Sequence, residues 1–81
     1  MITLEKIKQK LIDRGIEFEN PLSLDEEVEI KLLNYKITIS VINSRLIIKR
    51  LINDQLNVIS KDTSYINLDE ELSKYIPGYN K

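Results

Sequence analysis

The feature that most constrains the fold is a short phrase that occurs twice, Ile-Asn-polar-polar-Leu at 42–46 and again at 52–56. In each copy an asparagine and a second polar residue separate two apolar runs. Asparagine tolerates the positive φ that tight hairpin turns require. A third turn signal, Leu33-Asn34, precedes these two at similar spacing. Turns at such intervals are typical of an antiparallel meander, and the apolar stretch between the two copies is then the strand they share.

Alternation of apolar and polar residues between these turns predicts four strands, at about 27–32, 35–42, 45–52 and 56–60. Two-residue turns at 33–34 and 43–44 place the apolar side chains of the first three strands on one face. A two-residue turn at 53–54 would send Leu56 and Val58 to the opposite face. Because burial usually decides register, we expect a three-residue loop at 53–55 that keeps both residues inside.

Two helices flank the predicted sheet. The first, about 3–14, has Thr3 as its N-cap, an apolar stripe that includes Ile7 and Leu11, and Gly15 at the left-handed position that ends it. The second, about 67–76, begins at Asn67 and stops at Pro77-Gly78. Between the first helix and the sheet, residues 16–19 alternate and can add a short strand. The chain is thus expected to form one α+β domain over 1–81, a two-layer structure of helix, four-stranded meander and helix.

Composition argues against an enzyme. The chain contains no histidine and no cysteine, so the commonest general base and the strongest nucleophile at neutral pH are both absent. The acidic run Asp25, Glu26, Glu27 and Glu29 is the one candidate for a hard cation. It lacks the ligand spacing of an EF-hand and is better explained as a solvated loop and charged strand edge. We therefore expect no catalytic residues, no cofactor and no metal site.

The expected location is inferred from the absence of a secretion signal and of a membrane-spanning run, and from codon bias. The first ten residues alternate charged and apolar groups, unlike a secretion signal, and no apolar run is long enough for a membrane span. A cytoplasmic protein is expected. Fourteen isoleucines, nine lysines and seven asparagines with no alanine indicate AT-rich coding, which suits a virus or mobile element. In that case the location is the host cytoplasm.

Charge is distributed in blocks, and residues 30–52 carry a net +5 with no acid. The predicted register turns several of these cations, together with large aliphatic residues, to the sheet face away from the core. Three interpretations stay open for this outer face: the second helix or the 16–19 arm covers it, it is an association surface, or it binds nucleic acid. Arg50 is the one charge predicted on the inner face, where it extends to the sheet end or pairs with Glu70 or Glu71.

The function favoured by these patterns is a small non-enzymatic protein-interaction module. It would act as a homodimer, through the outer sheet face or through the edge strand at 56–60, or as an adaptor or inhibitor that docks on another protein through the outer sheet face. Exposed apolar patches of this kind tend to mark association sites. The expected interface comprises apolar anchors and orienting cations, namely Ile42, Ile47, Leu51, Ile59, Lys36, Arg45 and Lys49.

The alternative is a nucleic-acid-binding accessory protein that neutralises phosphates with one side of the sheet. Its contacts would be four cations, Lys31, Lys36, Arg45 and Lys49. The predicted outer face has no aromatic residue for base stacking, and the chain has a net charge of −1. These two features disfavour the alternative.

Overall fold

The computed structural model describes residues 1–20 and 27–80. It confirms the α+β class: one antiparallel four-stranded sheet lies between an N-terminal and a C-terminal helix in chain order. Each helix is one residue shorter at either end than expected, and the fourth strand is longer. The elements are α1 (Leu4–Asp13), β1 (Glu27–Lys31), β2 (Tyr35–Ile42), β3 (Arg45–Ile52), β4 (Gln55–Asp62), a short 3₁₀ turn (Thr63–Tyr65) and α2 (Leu68–Tyr75).

Local capping chemistry fixes both ends of α1. The Thr3 hydroxyl accepts a hydrogen bond from the Lys6 backbone N–H at 3.3 Å. Gly15 ends the helix with φ +70°, and the Ile16 N–H then donates to the Leu11 carbonyl at 2.9 Å. This is the Schellman arrangement, in which a left-handed residue lets the chain satisfy the last carbonyls of the helix.

The sheet is a meander of order β1-β2-β3-β4 with unbroken antiparallel pairing. The turn between β2 and β3 has positive φ at both central residues, Asn43 (50°) and Ser44 (61°). The turn between β3 and β4 repeats this with Asn53 (50°) and Asp54 (63°). Two successive positive φ values are the property of type I′ turns, whose twist matches that of the flanking strands.

The expected three-residue loop at 53–55 is therefore wrong, and with it the register of β4. Ile52 pairs with Gln55 directly across a two-residue turn, which places Ile59 opposite Ile48 on the inner face. Leu56 and Val58, expected inside, lie on the outer face opposite Leu51 and Lys49. The preference of Asn-Asp for the tight turn prevailed over the burial of two aliphatic side chains.

The arm at 16–19 contributes a single bridge rather than a strand. Glu19 and Glu29 exchange two backbone hydrogen bonds of 2.8 Å at the free edge of β1. Ile16 and Phe18 pack against the core. Of the acidic run considered as a cation site, Asp25 and Glu26 lie outside the described residues.

Both helices cover the same face of the sheet. The core combines apolar residues of α1 and α2 with the inward-facing residues of the strands and with Tyr79, which follows α2. Its buried members are Ile7, Leu11, Val28, Ile30, Ile37, Ile39, Leu46, Ile48, Leu68, Leu72, Ile76 and Tyr79. Within the described ranges, neither helix is long and apolar enough to cross a bilayer.

A turn after α2 directs the chain end back into the core. The Tyr79 N–H donates to the Ile76 carbonyl at 3.2 Å, with Pro77 and Gly78 between them and φ +82° at Gly78. Proline followed by a residue of positive φ is the signature of a type II turn. Pro77-Gly78 was expected only to stop the helix, and the structure shows that it also positions Tyr79.

Candidate interaction surface

Strand pairing places most of the expected interface residues on one side of the sheet. Ile42 faces Arg45 across the β2–β3 hairpin, and Ser40 faces Ile47. Lys49 faces Thr38, and Leu51 faces Lys36. Ile59 is the exception: it packs against the core cluster on the inner face, so its placement as an outer anchor is wrong. In the observed register of β4, Leu56 and Val58 lie on the outer face instead of Ile59.

Five aliphatic residues form what we term the outer apolar patch: Ile42, Ile47, Leu51, Leu56 and Val58. Leu51 and Leu56 are direct cross-strand partners. The exposed fractions are 43% for Leu51, 62% for Leu56, 53% for Val58 and 45% for Ile42, while Ile47 is half-buried. Because α2 and the 16–19 arm both pack toward the inner core, neither of them covers this patch.

The cations around the patch are largely engaged within the chain. Lys36 pairs with Glu29 at 3.3 Å, and Lys31 pairs with Glu19 at 3.3 Å. Arg45 donates to the hydroxyl and the carbonyl of Ser60, at 2.8 and 3.1 Å. The positive face expected from sequence is thus partly neutralised by acidic residues of β1 and the arm.

Arg50 and Lys61 both lie on the inner face, so the expectation that Arg50 is the one charge there is wrong. The Arg50 guanidinium stacks over the Tyr75 ring at 5.3 Å and donates to Asn57 at 3.2 Å, rather than to Glu70 or Glu71. Lys61 pairs with the buried Glu71 at 2.8 Å, and Lys74 adds a second contact of 3.2 Å. The hydrogen bond from Lys61, opposed by burial, lowers the pKa of Glu71 below its ordinary value.

A second polar cluster fixes the chain end to α1. The Tyr79 hydroxyl donates to Asp69 at 2.7 Å, and Lys10 pairs with the same carboxylate oxygen at 2.9 Å. The Arg14 guanidinium lies 4.0 Å over the Tyr79 ring, and its Nε donates to the Tyr79 carbonyl at 3.1 Å. Hydrogen bonds from Lys10 and Tyr79 lower the pKa of Asp69, whereas burial and then Asp69 raise the pKa of Tyr79.

Perturbed pKa values often mark catalytic groups, but here each perturbed group is bound to a structural partner. Glu71 and Asp69 are held as ionised acceptors, and the Tyr79 hydroxyl is held as a donor. Within the described part of the chain, no three Asp or Glu residues cluster as a metal site would require. Among the described residues, the outer apolar patch has no such structural partner.

Acid should weaken both carboxylate clusters. Because the pKa values of Asp69 and Glu71 are lower in the folded chain than their ordinary values of 3.8 and 4.5, ionised carboxylates stabilise the fold at neutral pH. This stabilisation is lost as pH falls through the folded pKa values. We expect the melting temperature to fall between about pH 5 and pH 2, and Glu71→Gln to flatten the profile. Glu17→Gln, at an exposed carboxylate, is the control; equal profiles for the two variants would contradict the assignment.

No protein-family model, curated protein or solved structure matches the chain.

Proposed function

We propose that this chain is a non-enzymatic protein-interaction module that associates through its outer apolar patch. Self-association is its first interaction, and docking on another protein, as an adaptor or inhibitor does, uses the same surface. The observation that carries the proposal is the exposure of four aliphatic side chains on adjacent strands, Ile42, Leu51, Leu56 and Val58. Leu51, Leu56 and Val58 are neighbours on β3 and β4, and clustered apolar surface marks an association site more often than scattered apolar residues do.

The arrangement of charge supports protein association over nucleic-acid binding. Phosphate binding depends on unneutralised cations, whose release of counterions supplies the affinity. Lys31 and Lys36 already have carboxylate partners. The described outer face has aliphatic side chains where stacking of bases would require aromatic rings. On this face the aliphatic side chains alternate with polar ones such as Lys49 and Thr38, and protein interfaces contain both kinds.

The test is a charge placed at Leu51, the patch residue directly opposite Leu56. We expect Leu51→Asp to abolish association, because an interface would have to bury an unpaired carboxylate. The side chain is already about half exposed, so the fold should be retained, which a thermal melt verifies. The measurements are solution mass and retention of binding partners by the immobilised chain.

The matched control is Leu33→Asp, the same substitution in the β1–β2 turn, where the side chain is 97% exposed. This variant should associate as the unmodified chain does. The double variant Arg45→Ala, Lys49→Ala examines the alternative: it should leave an apolar association nearly intact, whereas nucleic-acid binding would lose much of its salt dependence. Equal association of Leu51→Asp and Leu33→Asp would exclude the patch as the interface.

A further inference from the structure

A polar cleft lies between α2 and one end of the sheet, on the opposite side of the sheet from the outer apolar patch. Tyr35, at the start of β2, and Arg50, near the end of β3, form its sheet side. The other side is formed by α2 from Ser73 onward and by the turn that follows the helix. The cleft has a volume of about 350 Å³, which is within the range of pockets that hold small ligands.

Arg50 is the residue of this cleft whose hydrogen bonding is incomplete. Its Nη2 donates to Asn57 at 3.2 Å, whereas its Nε is buried and donates to no acceptor among the described residues. The ion pairs formed within residues 1–20 and 27–80 do not include Arg50. A buried donor on a charged group is costly to leave unpaired, and a water or an ion can supply the missing acceptor.

The charge around the cleft is positive and is not balanced. Lys74, which also borders the cleft, shares the carboxylate of Glu71 with Lys61, at 3.2 and 2.8 Å. Two ammonium groups therefore face one carboxylate, and Arg50 adds a third cation. None of the described residues that form the cleft is acidic. The surplus of positive charge favours an anion as the ligand.

The donors at the cleft suit an oxyanion. A guanidinium presents paired N–H groups whose spacing matches two oxygens of a carboxylate or phosphate. The hydroxyls of Tyr35 and Tyr75 can donate as well, since only the Tyr79 hydroxyl, of those in the described ranges, bonds within the chain. Because α2 ends at this cleft and a helix C-terminus favours cations, the anion is expected on the sheet side, next to Arg50 and Tyr35.

We infer that this cleft binds an oxyanion, the phosphate or carboxylate group of a small molecule, with Arg50 as the principal donor. One hydrogen bond to Asn57 and the Tyr75 ring, 5.3 Å away, hold the guanidinium, so a small rotation brings Nε toward the ligand. The oxyanion then completes the hydrogen bonding of this group and balances its charge. The inference goes beyond the proposed function and does not depend on the outer apolar patch.

Titration followed by NMR tests the site. The probes are inorganic phosphate and acetate, each compared with sodium chloride at equal ionic strength. We expect at least one of the two to shift the Arg50 Nε–H resonance and the ring resonances of Tyr35 and Tyr75 saturably, and chloride to cause no saturable shift. A response to phosphate alone would identify the ligand group as a phosphate, and a response to acetate alone as a carboxylate. No saturable response to either anion would overturn the inference and leave water as the partner of Nε.

Arg50→Met is the matching variant, because it keeps an unbranched apolar stem beside the Tyr75 ring and removes every donor. The control is Arg45→Met, which removes the arginine of the outer face that donates to Ser60. We expect Arg50→Met to lose the saturable ring shifts and Arg45→Met to bind the anion as the unmodified chain does. Equal binding by the two variants would overturn the inference.

Two further measurements keep the result decisive. A thermal melt verifies that Arg50→Met folds; should it fail to fold, the response of the Arg50 Nε–H in the unmodified chain decides. Leu51→Asp, designed to abolish association, should bind the anion as the unmodified chain does, because Leu51 lies on the other face of the sheet. Loss of anion binding in a folded Leu51→Asp would contradict the placement of the site, whatever that variant shows about association.

Discussion

Replacement of Tyr79 by alanine should destabilise the fold by about 3–5 kcal/mol, the range for deleting a buried aromatic ring. Only 2% of Tyr79 is exposed. Its ring lies beneath the Arg14 guanidinium and its hydroxyl donates to Asp69, so the substitution removes core packing and the contact between the chain end and α1 together. Domains of this size have about 5–10 kcal/mol of stability in total. Chemical denaturation followed by circular dichroism measures the effect.

Two further variants separate the parts of the Tyr79 contribution. Tyr79→Phe retains the ring and removes the hydrogen bond to Asp69, which should cost about 0.5–1.5 kcal/mol. Tyr65→Ala is the control, because that side chain is 88% exposed, and its effect should stay within about 0.5 kcal/mol. If Tyr79→Ala proved as stable as Tyr65→Ala, the docking of the chain end on α1 would be incorrect.

The second large effect is expected from a charge at Ile59, which distinguishes the two registers of β4. Ile59 packs on the inner face opposite Ile48, so Ile59→Asp should lower the free energy of unfolding by about 2–3 kcal/mol through lost packing and a poorly solvated carboxylate. Val58→Asp, one residue away on the outer face, should change it by about 0.5 kcal/mol or less. Unfolding is compared at concentrations where the chain is monomeric.

A larger loss of stability for Val58→Asp than for Ile59→Asp would support the other register, in which a three-residue loop turns Val58 toward the core. Equal and large effects would mean that both faces of β4 are covered. Either result would remove Leu56 and Val58 from the outer apolar patch. The pair of variants is therefore the stability test of the surface on which the functional proposal depends.

Local chemistry allowed the prediction of most of the fold from sequence. Thr3 and Gly15 mark the ends of α1 because capping groups act on their nearest backbone neighbours. Asn43-Ser44 marks the β2–β3 hairpin because both residues adopt positive φ. The same chemistry at Asn53-Asp54 predicts the observed two-residue turn, whereas the rule that aliphatic side chains are buried predicts the three-residue loop, and local turn chemistry prevails here.

The remaining errors concern contacts between distant parts of the chain. Lys61 can occupy the inner face because α2 places Glu71 next to it. The sequence around either residue does not indicate that the two will pair. The packing of α2 on the sheet likewise places the Tyr75 ring beside the Arg50 guanidinium. On the candidate surface, the β2 and β3 residues lie on the predicted face because the predicted turn between these strands is correct. Ile59 lies on the opposite face from the one predicted because the predicted register of β4 is wrong.

The most direct test of the central claim, that this chain is a self-associating interaction module, is its solution mass by light scattering over a dilution series. We predict a mass that rises from the 9.5 kDa of one chain toward twice that value with increasing concentration, and that stays at one chain for Leu51→Asp. A mass of 9.5 kDa for the unmodified chain at every concentration would contradict self-association.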